Sequence, residues 1–220
     1  MRNGIYSEML RFTSKFVQLG KLNLPEYSGT RIMMMPINMN DTKSLPDNLE
    51  RYRPMMEKLF EMSPTKTGVG YLTIDEKLIK SGSTHRRSGK HVDGIYQNGK
   101  GGWGGNTGSW GANGLLTVSS ELGCRVFPGT FIGKPGPEGE CDHLIDQITS
   151  SVELEPGTVY WLDPLCVHES IPMTNDTFRT FVRLSMPSDA PWFEGYDHNP
   201  LGIKPTGPIL SRREFMNTDS

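Results

Sequence analysis

Two residues near the middle of the chain, His91 and Asp93, have the types and spacing needed to bind a metal ion. Side chains alternate between the two faces of a β-strand, so these two point one way while Val92 points the other. The third ligand must come from elsewhere, and His168 is the best candidate because its segment, CVHES, is strand-like and follows an Asp-Pro turn. Two histidines and one carboxylate on one face leave the opposite coordination positions open, as Fe(II) needs for binding a co-substrate together with dioxygen.

The sequence after His168 places two arginines on one face of a predicted strand. In PMTNDTFRTFVRLSMP, Arg179 and Arg183 share a face with Phe181 and Ser185, whereas the other face is mostly apolar. We expect the apolar face to pack beneath helices and the arginines to point into a barrel interior. A buried guanidinium needs an anionic partner, and its rigid pair of donors suits a carboxylate better than lysine does.

This combination resembles the Fe(II)/2-oxoglutarate-dependent oxygenases, which carry an HxD motif, a distal histidine and a following arginine. Arg179 follows His168 by eleven residues. Arg183 follows it by fifteen, a spacing similar to that of the taurine-dioxygenase branch, and Arg183-Leu184-Ser185 matches the RxS pattern of plant-type members. The resemblance covers residues 91–185, and the remainder of the chain matches no pattern of the family.

Residue by residue, the resemblance implies that His91, Asp93 and His168 bind Fe(II) in a double-stranded β-helix, a jelly-roll or cupin-like core. One arginine would bind the distal carboxylate of 2-oxoglutarate. The eleven-residue offset favours Arg179, which leaves Arg183 as a second contact to the co-substrate or to an anionic substrate. The implied reaction converts 2-oxoglutarate to succinate and CO2 and, by default, hydroxylates a small-molecule or peptidyl substrate.

The elements that must position these residues form one predicted domain, residues 1–220, with a mainly β fold. Short apolar strands separated by turns run through residues 67–187 and predict the β-core. Residues 1–66 are predicted to be flanking helical support. There, a stripe of apolar residues between Asn3 and Gly20 predicts an amphipathic helix, and a second helix is predicted over 46–62, kinked or restarted at Pro54. Residues 188–220 form a Pro/Gly-rich tail.

The composition restricts the possible partners and setting. The formal charge of −2 provides no general field for nucleic acid, and no apolar run reaches the ~18 residues of a membrane span. The N-terminus lacks the apolar centre of a secretory signal, and three cysteines are too few and scattered for a disulfide framework or a zinc ribbon. A reduced, cytoplasmic setting is therefore expected, with neither nucleic acid nor membrane as partner.

Several neighbouring residues have two interpretations. Arg86, Arg87 and Lys90 are either a solvated loop or a basic mouth that attracts an anionic substrate. The loop 99–114, rich in glycine and tryptophan, is either a lid over the site or an anchored surface loop. His85 has Arg87 two positions on, where the HxD motif has a carboxylate, so it is interpreted as a loop residue.

Two other functions fit part of the pattern. A cupin-type metal enzyme that does not use 2-oxoglutarate would explain the metal ligands, but it would leave Arg179 and Arg183 without a carboxylate. A non-catalytic β-sandwich binding module would make the HxD motif accidental, and it predicts that the purified protein contains no metal.

Cys166 shares a face with His168 and is expected to fill the core rather than to bind the ion.

Overall fold

A computed structural model describes residues 11–93, 114–136, 139–211 and 214. Its strands are β1 (Arg11–Ser14), β2 (Phe16–Lys21), β3 (Arg31–Asn38), β4 (Val69–Ile79), β5 (Leu115–Ser119), β6 (Cys124–Val126), β7 (Gly129–Ile132), β8 (Val152–Glu153), β9 (Thr158–Leu162), β10 (His168–Ser170), β11 (Thr177–Ser185), β12 (Trp192–Phe193) and β13 (Ile209–Leu210). Its helical elements are α1 (Arg53–Met62) and three 3-10 helices at Thr42–Ser44, Asp47–Tyr52 and Asp142–Gln147. None of these helices is long and apolar enough to cross a membrane. The predicted loop 99–114 lies outside the described residues, apart from Gly114.

The largest sheet has six antiparallel strands in the order β2-β9-β5-β11-β4-β3. β11 is an interior strand that pairs with β4 along its whole length and with β5 over its second half. Its residues Val182 and Leu184 are fully buried in a cluster with Met56 of α1. The prediction that this apolar face packs beneath a helix is therefore confirmed.

A smaller antiparallel sheet has the order β10-β6-β8, and His91 joins its edge through a bridge to His168. Along the chain, β4, β5, β9 and β11 belong to the large sheet, whereas His91, β6, β8 and β10 belong to the smaller one. β1 and β7 form a separate antiparallel pair, and β12 and β13 a short parallel pair. The prediction of a mainly β fold is confirmed, with a chain that crosses repeatedly between two sheets.

The predicted helix over residues 46–62 is confirmed in its restarted form. The 3-10 helix Asp47–Tyr52 runs directly into α1, and Pro54 lies in the first turn of α1, where its missing N–H interrupts no helical hydrogen bond. Pro36 lies in β3, an edge strand, where a proline leaves no central ladder bond unmade.

The predicted amphipathic helix between Asn3 and Gly20 is wrong from Arg11 onward, and the residues before Arg11 lie outside the described part. The segment forms β1, paired with β7, and β2, paired with β9. The apolar residues used to predict one helical stripe instead serve two separate strands. Phe12 stacks on Phe131 with ring centroids 5.2 Å apart, and Phe16 packs 6.2 Å from Tyr160. Tertiary pairing therefore overrode a periodicity that fits a helix equally well.

The Pro/Gly-rich tail is packed against the sheet over its described part. Trp192 is 1% exposed, and its Nε1 donates to the Met34 carbonyl oxygen at 2.8 Å. The Asn199 side-chain amide donates to the carbonyl oxygens of Pro36 and Ser44, at 2.9 and 2.8 Å. These contacts cover β3 and belong to the apolar core around Met34.

We expect Trp192→Ala to lower the free energy of unfolding by about 3–5 kcal/mol, because it removes a large buried side chain and the hydrogen bond to Met34. Urea denaturation followed by circular dichroism measures the loss. Leu201→Ala, at a tail side chain that is 54% exposed, is the control and should change stability by about 0.5 kcal/mol or less. Equal effects of the two substitutions would contradict a packed tail.

Candidate metal centre

His91 and His168 lie directly opposite each other across antiparallel backbone. The N–H of each residue donates to the carbonyl oxygen of the other, both at 2.9 Å. Residues paired in this way project from the same face of a sheet. Their imidazole centroids are 4.4 Å apart. The backbone ladder therefore brings together two histidines that are distant in sequence.

The residues beside these histidines anchor the pair from the opposite face. Val92 and Val167 are both buried in one apolar cluster, as the predicted alternation of the HVD segment requires. The Val92 N–H donates to the Gly139 carbonyl oxygen at 2.9 Å. Gly139 has a φ of +84°, and a Cβ there would lie 2.2 Å from the Val92 carbonyl oxygen. A glycine is therefore required for this close approach.

Both histidines are oriented by hydrogen bonds from Nδ1. The His91 Nδ1 lies 2.8 Å from the Gly89 carbonyl oxygen, and the His168 Nδ1 lies 2.9 Å from that of Cys166. A carbonyl oxygen only accepts, so Nδ1 carries the proton in each ring and Nε2 presents its lone pair. Burial and the nearby His168 lower the pKa of His91 to about 4. Its ring is therefore neutral at neutral pH, as a metal ligand must be.

Asp93 faces both Nε2 atoms. Its Oδ1 lies 4.0 Å from the His91 Nε2, and its Oδ2 lies 3.9 Å from the His168 Nε2. The Arg183 Nη1 donates to the same Oδ2 at 3.1 Å. Burial by itself would raise the pKa of Asp93, but His168 and Arg183 outweigh it and hold the pKa below its ordinary range. The carboxylate is therefore ionised and oriented by a buried guanidinium.

These three side chains can hold a metal ion. One ligand atom from each of His91, Asp93 and His168 lies within 4.8 Å of the others. An ion with bonds of about 2.1 Å sets adjacent ligands about 3 Å apart, so small side-chain rotations close the site. Two imidazoles and one carboxylate suit a divalent first-row transition metal and leave coordination positions open. The predicted grouping of these three residues is thus present in the structure.

Arg179 lies on β11, four residues before Arg183 and on the same face of the strand, and is 1% exposed. Its Nε donates to the Glu121 carbonyl oxygen at 3.1 Å, and its Nη1 donates to the His85 Nδ1 at 2.9 Å. Burial lowers its pKa to about 10, so it remains charged at neutral pH. Within the described segments Arg179 forms no salt bridge to a carboxylate, although a buried guanidinium requires an anion.

A small cleft, partly open to solvent, lies beside Arg179. Its walls come from both sheets, and they include the polar side chains of Thr117, Ser119, Thr158 and Tyr160. Thr158 is 1% exposed, and its Oγ1 has no hydrogen-bond partner among the described residues. A buried hydroxyl without a partner is costly, so its presence indicates a polar ligand or water in the cleft.

The two predicted arginines have different surroundings. Arg183 is bonded to Asp93, so the anion that this buried guanidinium needs is the candidate metal ligand itself. Its Nη2 also lies 3.6 Å from the Met34 sulfur. Arg179 points instead toward the cleft and the His85 ring. Sequence spacing placed both arginines on one face but did not distinguish these two environments.

His85 lies in the loop after β4, as predicted, and it has a carboxylate neighbour that is distant in sequence. Its Nε2 lies 3.2 Å from the Asp75 Oδ2, and its side chain is 0% exposed. The available signal was Asp75, a charged residue within the apolar strand YLTIDEKLI. Such a residue needs a partner when its strand is buried. That partner lies in the loop after β4, where spacing alone does not indicate it.

The basic cluster before the ligands is paired in part with carboxylates. The Arg86 Nη1 donates to the Asp75 Oδ2 at 3.1 Å, and the Lys90 Nζ donates to the Glu169 Oε2 at 3.2 Å.

Cys166 is buried in an apolar cluster with Leu115, and burial raises the pKa of its thiol. Its surroundings match the expected role of a small core residue.

We expect His168→Ala to weaken binding of Mn(II), a stable stand-in for Fe(II), by more than about 100-fold, because it removes one of three ligands. Anaerobic isothermal titration calorimetry measures the affinity. His143→Ala, which removes an exposed histidine bonded to the Lys134 carbonyl oxygen, is the control and should leave it unchanged. Unaltered affinity in His168→Ala would mean that the ion binds elsewhere.

No family model, curated protein or solved structure matches this chain. A functional assignment therefore depends on the geometry of the site itself.

Proposed function

We propose that this protein is an Fe(II)/2-oxoglutarate-dependent dioxygenase that hydroxylates a small-molecule or peptidyl substrate and forms succinate and CO2. The observation that carries the proposal is the convergence of His91, Asp93 and His168, one of which is bonded to Arg183, in a fold that buries a second cation, Arg179, on the same strand beside a polar cleft. The reaction requires a metal centre together with a cation that binds the co-substrate carboxylate.

We also propose that the core is a double-stranded β-helix. The support is the alternation of successive strands between two antiparallel sheets, with β4, β11, β5 and β9 adjacent in the large sheet. His91, β10, β6 and β8 are adjacent in the same way in the smaller one. In such a core the ligands lie at one end and the interior forms a pocket.

The donor set fits Fe(II). The His91 ring is neutral at neutral pH, both histidines donate from Nδ1, and Asp93 is ionised. These three residues would hold the ion, and bound iron would supply the oxidative chemistry with the co-substrate and dioxygen. Arg183 holds the Asp93 carboxylate in place through Nη1, which limits its freedom to swing away from the ion.

Arg179 is the proposed anchor for the distal carboxylate of 2-oxoglutarate. A guanidinium has five N–H donors, and the bonds to the Glu121 carbonyl oxygen and to His85 use two of them. The others are available to a carboxylate in the cleft, where Thr117, Ser119 and the Thr158 hydroxyl add further polar contacts. Arg183 is the weaker candidate because its charge is already committed to Asp93.

The protein's own part in the reaction is to bind, orient and exclude water. The buried Arg179 neutralises the distal carboxylate away from bulk solvent, where a charged hydrogen bond is strong. The hydrogen bonds from Nδ1 hold His91 and His168 with Nε2 directed at one point. Three metal ligands and one guanidinium would hold the two ends of the co-substrate and so orient it for reaction.

An anionic substrate is also part of the proposal. Three permanent cations surround Asp75: Arg31 at 3.2 Å, Lys77 at 3.8 Å and Arg86 at 3.1 Å. One carboxylate cannot balance all three, so this partly exposed region retains positive charge that attracts an anion.

A screen for succinate release that pairs each anionic candidate with its neutral ester tests the preference for an anionic substrate. Equal rates within the pairs would contradict that preference.

We expect Arg179→Ala to weaken binding of N-oxalylglycine, a 2-oxoglutarate mimic, to the Mn(II)-loaded protein by about 10- to 100-fold, with Mn(II) affinity unchanged. Calorimetry measures both affinities. Arg125→Ala is the matched control because Arg125 is a partly exposed arginine paired with Glu153.

Each failure of this experiment has a defined meaning. Metal binding without N-oxalylglycine binding in the unmodified protein would favour a cupin-type metal enzyme that does not use 2-oxoglutarate. Absence of any metal binding would favour a non-catalytic β-sandwich. Loss of metal with unchanged N-oxalylglycine affinity in Arg179→Ala would refute the role assigned to this arginine.

A further inference from the structure

His85 connects the two buried charges Asp75 and Arg179. The side chains of His85 and Asp75 are 0% and 2% exposed, so the connection is shielded from solvent. The Arg179 Nη1 lies 2.9 Å from the His85 Nδ1, and the His85 Nε2 lies 3.2 Å from the Asp75 Oδ2. Asp75 is on β4 and Arg179 on β11, and the imidazole links them from the loop that follows β4.

The partners of His85 determine its tautomer. A guanidinium only donates, so the His85 Nδ1 must accept and is therefore unprotonated. The proton of the neutral ring then lies on Nε2, which faces the Asp75 carboxylate. Burial lowers the pKa of His85, which agrees with a neutral ring at neutral pH. The ring thus offers an acceptor on one side and a donor on the other.

This acceptor restricts the orientation of Arg179. The guanidinium is held at Nε by the Glu121 carbonyl oxygen and at Nη1 by His85. Gly123 lies against its flat side, where a Cβ would come within 2.8 Å of the Arg179 Cζ. With Nε and Nη1 held, the orientation of the guanidinium beside the cleft is restricted, so binding would not incur the loss of rotamer entropy of a mobile arginine.

We propose that His85 is a positioning residue: it holds Arg179 in the orientation that binds the co-substrate carboxylate, and Asp75 holds the His85 ring. This inference rests on the proposed function of the cleft. A different role for His85 would be to neutralise Asp75. However, Asp75 already has Arg31 and Arg86 within 3.2 Å, so the acceptor toward Arg179 is the contribution that only His85 makes.

Two amide substitutions separate these roles. In His85→Asn the amide oxygen occupies the place of Nδ1 and can still accept from Arg179. In His85→Gln the amide lies near the place of Nε2, beside Asp75, and leaves the place of Nδ1 without an acceptor. We expect N-oxalylglycine to bind the Mn(II)-loaded His85→Ala and His85→Gln proteins about 10-fold more weakly than the unmodified protein, and His85→Asn to stay within about 3-fold.

Mn(II) affinity and thermal unfolding are measured for every variant, and Mn(II) affinity should be unchanged in all of them. His143→Ala is the control for loss of a histidine outside the site. Retention in His85→Gln with loss in His85→Asn, or unchanged affinity in all three variants, would overturn the positioning role while leaving the proposed function intact. Failure of the unmodified protein to bind N-oxalylglycine would instead remove the proposed function, and this inference with it.

Discussion

The reciprocal backbone hydrogen bonds between His91 and His168 are the constraint on which the rest of the site depends. They join the short segment that contains His91 to β10 and place two imidazoles on one face of the smaller sheet. Val92 and Val167 bury the opposite face, so the pair cannot rotate without exposing apolar surface. Asp93 then needs only the alternation of a strand to meet both rings.

Two buried arginines lie on one face of β11 and differ in how their charge is compensated. Arg183 and Arg179 both point inward, and each would be costly alone. Arg183 is compensated by Asp93, and this pairing also orients a candidate metal ligand. Among the described residues, Arg179 is held by a carbonyl oxygen and a neutral imidazole and by no carboxylate, and we propose that a ligand balances its charge. The difference between a compensated and an uncompensated arginine is what distinguishes their proposed roles.

Three histidines in this region have their protonation set by different neighbours. His91 and His168 donate from Nδ1 to backbone carbonyl oxygens and so present Nε2. His85 accepts at Nδ1 from a guanidinium and so presents the Nε2 proton to Asp75. The partner of one nitrogen therefore decides whether a histidine can act as a metal ligand or, as we propose for His85, as a support.

The amino-acid sequence by itself determined the strand alternation that puts His91 and Asp93 on one face and Arg179 and Arg183 on another, because a period of two is a local property of an extended chain. It also determined the turns that separate the strands, since Pro, Gly and Asn-Asp act within a few residues. It did not determine that the residues from Arg11 to Lys21 form strands, because their apolar spacing fits a helix as well and the choice is made by pairing with β7 and β9. Only the tertiary structure decided which arginine meets Asp93 and that His85 lies between Asp75 and Arg179, because both depend on contacts across strands that no local pattern encodes.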